Sequence, residues 1–255
     1  MRATLVAALV AIAAIGGACG GAAPAGPNPS GSSGTITVFA ASSLTAAYSA
    51  IGNDFKKAHP AAMVTFGFGG SSTLVAQIEQ GAIGDVFASA DQANMQKLLD
   101  AGLTAEAPRV FAQNHLEMVV AAGNPKHISS LADLSRSQLV VVLCAPAVPC
   151  GRYAAQALHD AEVTVKPASQ EADVKAVLSK VALGEADAGI VYATDVKAAG
   201  AGVQGVSIPP PLNVVADYPI AVLKDAPNAT LAKAFVSYVL ADGQRTLARY
   251  GFTSP

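Results

Sequence analysis

The chain has 255 residues, of which 52% are hydrophobic and only 13% charged, and its formal net charge is -2. That is enough apolar material for a large core, in one domain or two lobes. No basic patch and no Lys/Arg run interleaved with aromatics is present, which excludes a nucleic-acid binder.

Met1 and Arg2 precede an uncharged apolar run over 3–15, and Gly16-Gly17-Ala18 then lead to Cys19. A charged start, a short apolar stretch and small residues form a secretory signal, here residues 1–18. The run is shorter than the roughly 20 residues of a membrane-spanning helix. Cys19 after small residues resembles the acylation site of bacterial lipoproteins, although Gly16 stands where that motif usually has Leu, Val or Ile. The Gly-, Pro- and Ser-rich stretch over 19–34 reads as a flexible tether to a lipid anchor on Cys19. Removing 1–18 takes Arg2 and no acid, leaving 15 basic against 18 acidic residues. A bound anion would therefore have to be held by local dipoles and hydrogen bonds, not by overall charge.

Residues 36–40 read as a strand. Leu44, Tyr48, Ile51 and Phe55 then make one apolar helix face, with Ser42 or Ser43 where an N-cap belongs. Residues 64–68 are a second strand. Gly69-Gly70-Ser71 lead into a helix over 73–80, and 85–89 form a third strand. Further on, 116–122 and 138–143 read as strands, 151–161 and 173–183 as helices and 188–192 as a buried strand. Pro209-Pro210-Pro211 interrupt the chain before a strand over 217–223 and an amphipathic helix over 229–241. Alternating strands and helices predict an α/β fold with a mostly parallel sheet.

Catalytic signals are absent. The four histidines are scattered without ligand spacing, and there is no nucleophile elbow, Walker loop or dinucleotide fingerprint. Cys144 and Cys150 enclose five residues, two of them proline. An oxidising compartment favours a disulfide between them, with two free thiols as the alternative. Ser43 and Ser71 each stand at a strand-to-helix turn. There a hydroxyl, free backbone N–H groups and a helix dipole could together receive an anion. Taken singly, each serine reads as an ordinary helix cap.

Five segments change that balance. Val38-Phe-Ala-Ala-Ser-Ser-Leu-Thr45, Ser71-Ser-Thr-Leu-Val-Ala-Gln-Ile-Glu-Gln-Gly81, Gly84-Asp-Val-Phe-Ala-Ser-Ala-Asp-Gln92, Val148-Pro-Cys-Gly-Arg-Tyr153 and Gly189-Ile-Val-Tyr-Ala-Thr-Asp195 occur in order along the chain. Together they resemble the periplasmic molybdate-binding proteins of ABC transporters. The resemblance implies a two-lobed type II periplasmic-binding fold of mostly parallel sheets with flanking helices and a ligand cleft between the lobes. Residues 35–115 and 217–255 would form one lobe and 116–216 the other.

The resemblance also implies a ligand set for molybdate or tungstate. Ser43 and Ser71 would donate from the first lobe. Cys150 and Val174 would donate backbone N–H groups, and Tyr192 its phenol, from the second. The family often has Ala where this chain has Cys150. The metal would be held through the oxygens of its oxyanion, with no side-chain metal ligand, no further cofactor and no enzymatic step. The implied partner is the membrane permease of an importer, served by a monomeric receptor lipid-anchored at Cys19 on the outer face of the cytoplasmic membrane. Within the same fold, a receptor for sulfate or another tetrahedral oxyanion is the alternative. An envelope enzyme or adhesin would need a nucleophile–base pair or exposed binding surface that the sequence does not offer. Asp173 is expected to cap its helix, and Asp195 to face solvent or pair elsewhere.

Overall fold

A computed structural model describes residues 33–255. The signal over 1–18, Cys19 and all but the last two residues of the tether lie outside the described residues.

The first elements are β1 (Gly34–Ala41), a 3-10 turn (Ser42–Leu44), α1 (Thr45–Ala58), β2 (Ala62–Gly69), α2 (Ser71–Glu79), β3 (Val86–Ala88) and α3 (Gln92–Asp100). Next come β4 (Arg109–Ala121), β5 (Val141–Cys144), α4 (Pro149–Asp160), β6 (Ser169–Glu171), α5 (Val174–Ala182), β7 (Ala188–Tyr192) and α6 (Ala193–Ala199). The chain closes with β8 (Val203–Ser207), a 3-10 turn (Pro210–Leu212), β9 (Val215–Val222), α7 (Ala229–Leu240) and α8 (Gly243–Tyr250). β1 starts at Gly34, so the expected tether ends sooner than residue 34.

Local chemistry accounts for much of this. α1 buries Ala47, Tyr48, Ile51 and Phe55; the last three belong to the face predicted from spacing, while Leu44 sits in the turn before the helix. α4 opens on Pro149, whose missing N–H costs nothing at a first helical position. Asp173 caps α5, its carboxylate accepting from the N–H groups of Lys175 and Ala176. β5 and β7 are buried at every position, as suits central strands covered on both faces. Three helices were not foreseen. α3 carries the buried pair Met95 and Leu98 behind an Asp91 cap, a legible but short signal. α6 and α8 are only seven and eight residues long, too short for periodicity to declare.

The strand order is β2-β1-β3-β9-β4-β7-β5-β6, with β8 also paired to β4. The expectation of a mostly parallel sheet is overturned. Among the described residues, the β1–β2, β1–β3, β5–β6 and β5–β7 pairings are parallel, while β3–β9, β4–β7, β4–β8 and β4–β9 are antiparallel. Parallel neighbours need a crossover long enough to hold a helix. Only the stretch over 208–214 separates β8 from β9, and its prolines can donate no ladder bond. The two strands therefore run in succession along the long β4. That strand pairs with β9 over Arg109–His115 and with β7 from Leu116 onward, so it changes partners between His115 and Leu116.

Candidate anion-binding site

The starts of several helices converge. Ser43, Ser71, Cys150, Val174 and Tyr192, which belong to five separate stretches of chain, line one small cavity.

Both serines lie there, but neither caps its helix. The first turn after β1 is 3-10, with no side-chain cap, and the buried Ser43 hydroxyl bonds instead to the Tyr218 hydroxyl at 2.9 Å. The N-cap of α2 is Gly70, which makes Ser71 the first helical residue; its Oγ accepts from the N–H of Ala90 at 3.0 Å. Glycine at 70 is a requirement of close approach. A Cβ there would stand 2.4 Å from the carbonyl oxygen of Ala172, just before α5.

The other donors come from 148–192. Cys150 is the second residue of α4 and is disulfide-bonded to Cys144, with Cα atoms 5.8 Å apart. Gly151 packs so tightly on this loop that an added Cβ would meet the Ala145 carbonyl oxygen at 2.1 Å. Val174 opens α5. Asp173 takes the next two N–H groups at 2.8 and 3.0 Å, and helix geometry leaves the Val174 N–H without an intrahelical partner. Tyr192 is the N-cap of α6 and 1% exposed. Its hydroxyl has no hydrogen-bond partner among the described residues. Burial holds that phenol well above its usual pKa of 10.0, so it stays a donor.

Charge is kept off the lining, where no carboxylate, lysine, arginine or histidine is found. Asp195, expected to face solvent or pair elsewhere, is fully buried and ion-paired to Lys175 at 3.0 Å. Burial raises its pKa, and Lys175 opposes that rise. Asp91 bonds to Arg152. Among the described residues no cluster of His, Cys, Asp or Glu could hold a metal ion.

The arrangement therefore offers hydroxyl donors, the N–H groups of helix starts and the positive ends of helix dipoles, inside a small uncharged enclosure. Such a set suits an anion that only accepts hydrogen bonds. Sequence reasoning missed Tyr218, Asn114 and Arg152. Tyr218 lies 175 residues from Ser43, and no local pattern announces such a contact. Arg152 and Asp91 both stood inside quoted motifs, with nothing to show that they meet.

The family profile described as bacterial extracellular solute-binding protein matches residues 36–253. The molybdate-binding protein ModA of Mycobacterium tuberculosis (strain ATCC 25618 / H37Rv) is 46% identical over 257 residues, covering 100% of this chain and 96% of that one. The putative ABC transporter substrate-binding lipoprotein YvgL of Bacillus subtilis (strain 168) is 28% identical, over 86% of each chain. Among solved structures, the Azotobacter vinelandii periplasmic molybdate-binding protein superposes with a TM-score of 0.76 at 20% identity, covering 86% of this chain and 99% of that one. The chain belongs to the bacterial extracellular solute-binding protein family, on its ModA branch.

Proposed function

We propose that this chain is the extracytoplasmic receptor of an ABC importer and that it binds molybdate, and tungstate as its chemical analogue, in the cavity at the helix starts. One observation carries the reading: the orphaned, buried Tyr192 hydroxyl faces a lining that holds donors and no charge. A fully ionised oxyanion satisfies every one of these donors. Each hydrogen bond to it is worth about 1.5–3 kcal/mol before the costs of association. No lining carboxylate is present to accept the proton of hydrogen phosphate. The ModA relative at 46% identity supports molybdate as the ion.

Residues 35–115 with 217–255, and residues 116–216, would act as two lobes, hinged where β4 changes partners. Ser43 and Ser71 fall in the first, and Cys150, Val174 and Tyr192 in the second, so the ion favours the closed state because only that state presents both sets. The signal over 1–18 and a lipid on Cys19 would hold the receptor, as a monomer, beside its membrane permease. The lipoprotein designation of the Bacillus subtilis relative supports the anchor.

Isothermal titration calorimetry with molybdate, tungstate, sulfate and phosphate tests the assignment. Molybdate and tungstate should bind far more tightly than the other two. Sulfate binding as strong as molybdate binding would make this a sulfate receptor. Mass spectrometry of the native N-terminus tests the anchor, which requires an acylated Cys19.

A further inference from the structure

We infer that a buried hydrogen-bond chain running from Asn114 through Tyr218 to Ser43 fixes the direction of the Ser43 proton, and that Asn114 and Tyr218 thereby help the site select fully ionised anions over hydrogen-bearing ones. This inference rests on the reading of the cavity as an oxyanion site.

The polarity follows from bonds that leave little choice. The N–H of His115 donates to Asn114 Oδ1 at 3.0 Å, which orients the amide. The two hydrogens of Asn114 Nδ2 then point to Thr194 Oγ1 at 2.8 Å and to the Tyr218 oxygen at 3.4 Å. An amide nitrogen only donates, so the Tyr218 oxygen accepts from it. The single Tyr218 proton is left to go to Ser43 Oγ, 2.9 Å away. Ser43 accepts from Tyr218, and its own proton is thereby barred from that direction and turned to the cavity side. All four side chains are buried, so water does not compete for these bonds.

Without Tyr218 the Ser43 hydroxyl could rotate and present a lone pair to the cavity. It would then accept the O–H of hydrogen phosphate as readily as it donates to molybdate. With Tyr218 in place, an anion that still carries a proton meets a lining set to donate. Tyr218 and Asn114 do not line the cavity; they act through Ser43 as positioning residues for specificity.

Calorimetry with molybdate, sulfate and inorganic phosphate on wild type, Tyr218→Phe, Ser43→Ala and the double variant tests this. Tyr218→Phe should weaken molybdate and sulfate binding about ten-fold, the scale of one hydrogen bond to a charged group. It should weaken phosphate binding less, so that selectivity narrows. In the Ser43→Ala background the Tyr218 substitution should cost nothing further, because the group it orients is gone. Equal losses in both backgrounds, or a uniform loss for all three anions, would mean a packing role and overturn the inference. Asn114→Asp supplies a second route. An acceptor at 114 reverses the chain, and the ratio of phosphate to sulfate affinity should rise; an unchanged ratio would also overturn it. Failure of wild type to bind molybdate would instead strike at the proposed function itself.

Discussion

Arg152 on α4 is ion-paired to Asp91, and the two stand within two residues of the cavity-lining positions Cys150 and Ala90. Asp91 is almost fully buried and also caps α3 through the N–H of Asn94 at 2.9 Å. The pair joins the two stretches of chain that carry Ala90 and Cys150 to the cavity. In the proposed site Arg152 would also neutralise a carboxylate that opposes an entering anion.

Arg152→Met should therefore raise the molybdate Kd by about three- to ten-fold, on the scale of a partly exposed ion pair. Calorimetry at low and high salt checks this. The variant should lose the salt dependence that the pair confers on wild type. Its melting temperature without ligand should also fall, because the buried Asp91 carboxylate loses its paired cation and keeps only its hydrogen bonds.

Tyr192→Phe should move affinity and stability in opposite directions. The phenol now occupies a buried position with no partner among the described residues. Removing it relieves the free protein of an unsatisfied polar group, worth about 1–3 kcal/mol. The same change deletes a donor to the anion and should weaken binding about ten- to a hundred-fold. Thermal melts without ligand, set beside calorimetry, read both signs.

Molybdate affinity should be flat from about pH 6 to about pH 9, since no histidine or carboxylate lines the cavity. The one titratable donor there is Tyr192, whose pKa burial raises well above 10.0. A raised pKa keeps the donating, protonated form as pH increases. Binding should fail only as pH climbs through that raised value, beyond the range of an ordinary tyrosine. A midpoint near neutrality in a pH series of titrations would show another ionising group at the site.

Reduction of the Cys144–Cys150 disulfide should cost both stability and affinity. Its ring is short, so the entropy it removes from the unfolded chain amounts to about 2 kcal/mol. The bond also ties the loop over 145–148 to the second residue of α4, whose N–H faces the cavity in the proposed site. Urea unfolding and molybdate titration, each with and without a thiol reductant, should both shift. A stability loss with unchanged affinity would separate the staple from the site.

Much of this was legible in the residues alone. The apolar spacing of Tyr48, Ile51 and Phe55 defines the buried face of α1 because a helix repeats every 3.6 residues. Asp173 at its cap, and glycine at 69 and 70 before Ser71, are local signals of the same kind. The family motifs named five positions that the fold brings to one cavity. The short helices α6 and α8 escaped because seven or eight residues complete only about two turns, too little for a period to emerge.

Long-range relationships are another matter. That Ser43 bonds to Tyr218 rather than capping its turn, and that β4 pairs antiparallel with β7, β8 and β9 and β3 with β9, depended on residues far apart in the chain. Sequence by itself determined the α/β class, the longer elements and the Asp173 cap, because these arise from neighbours within a few residues. Tertiary structure alone decided that the starts face one another, that Asp195 and Asp91 find Lys175 and Arg152, and that the Ser43 proton has one direction left to it. Those outcomes depend on contacts between residues far apart in the chain, and no local pattern encodes them.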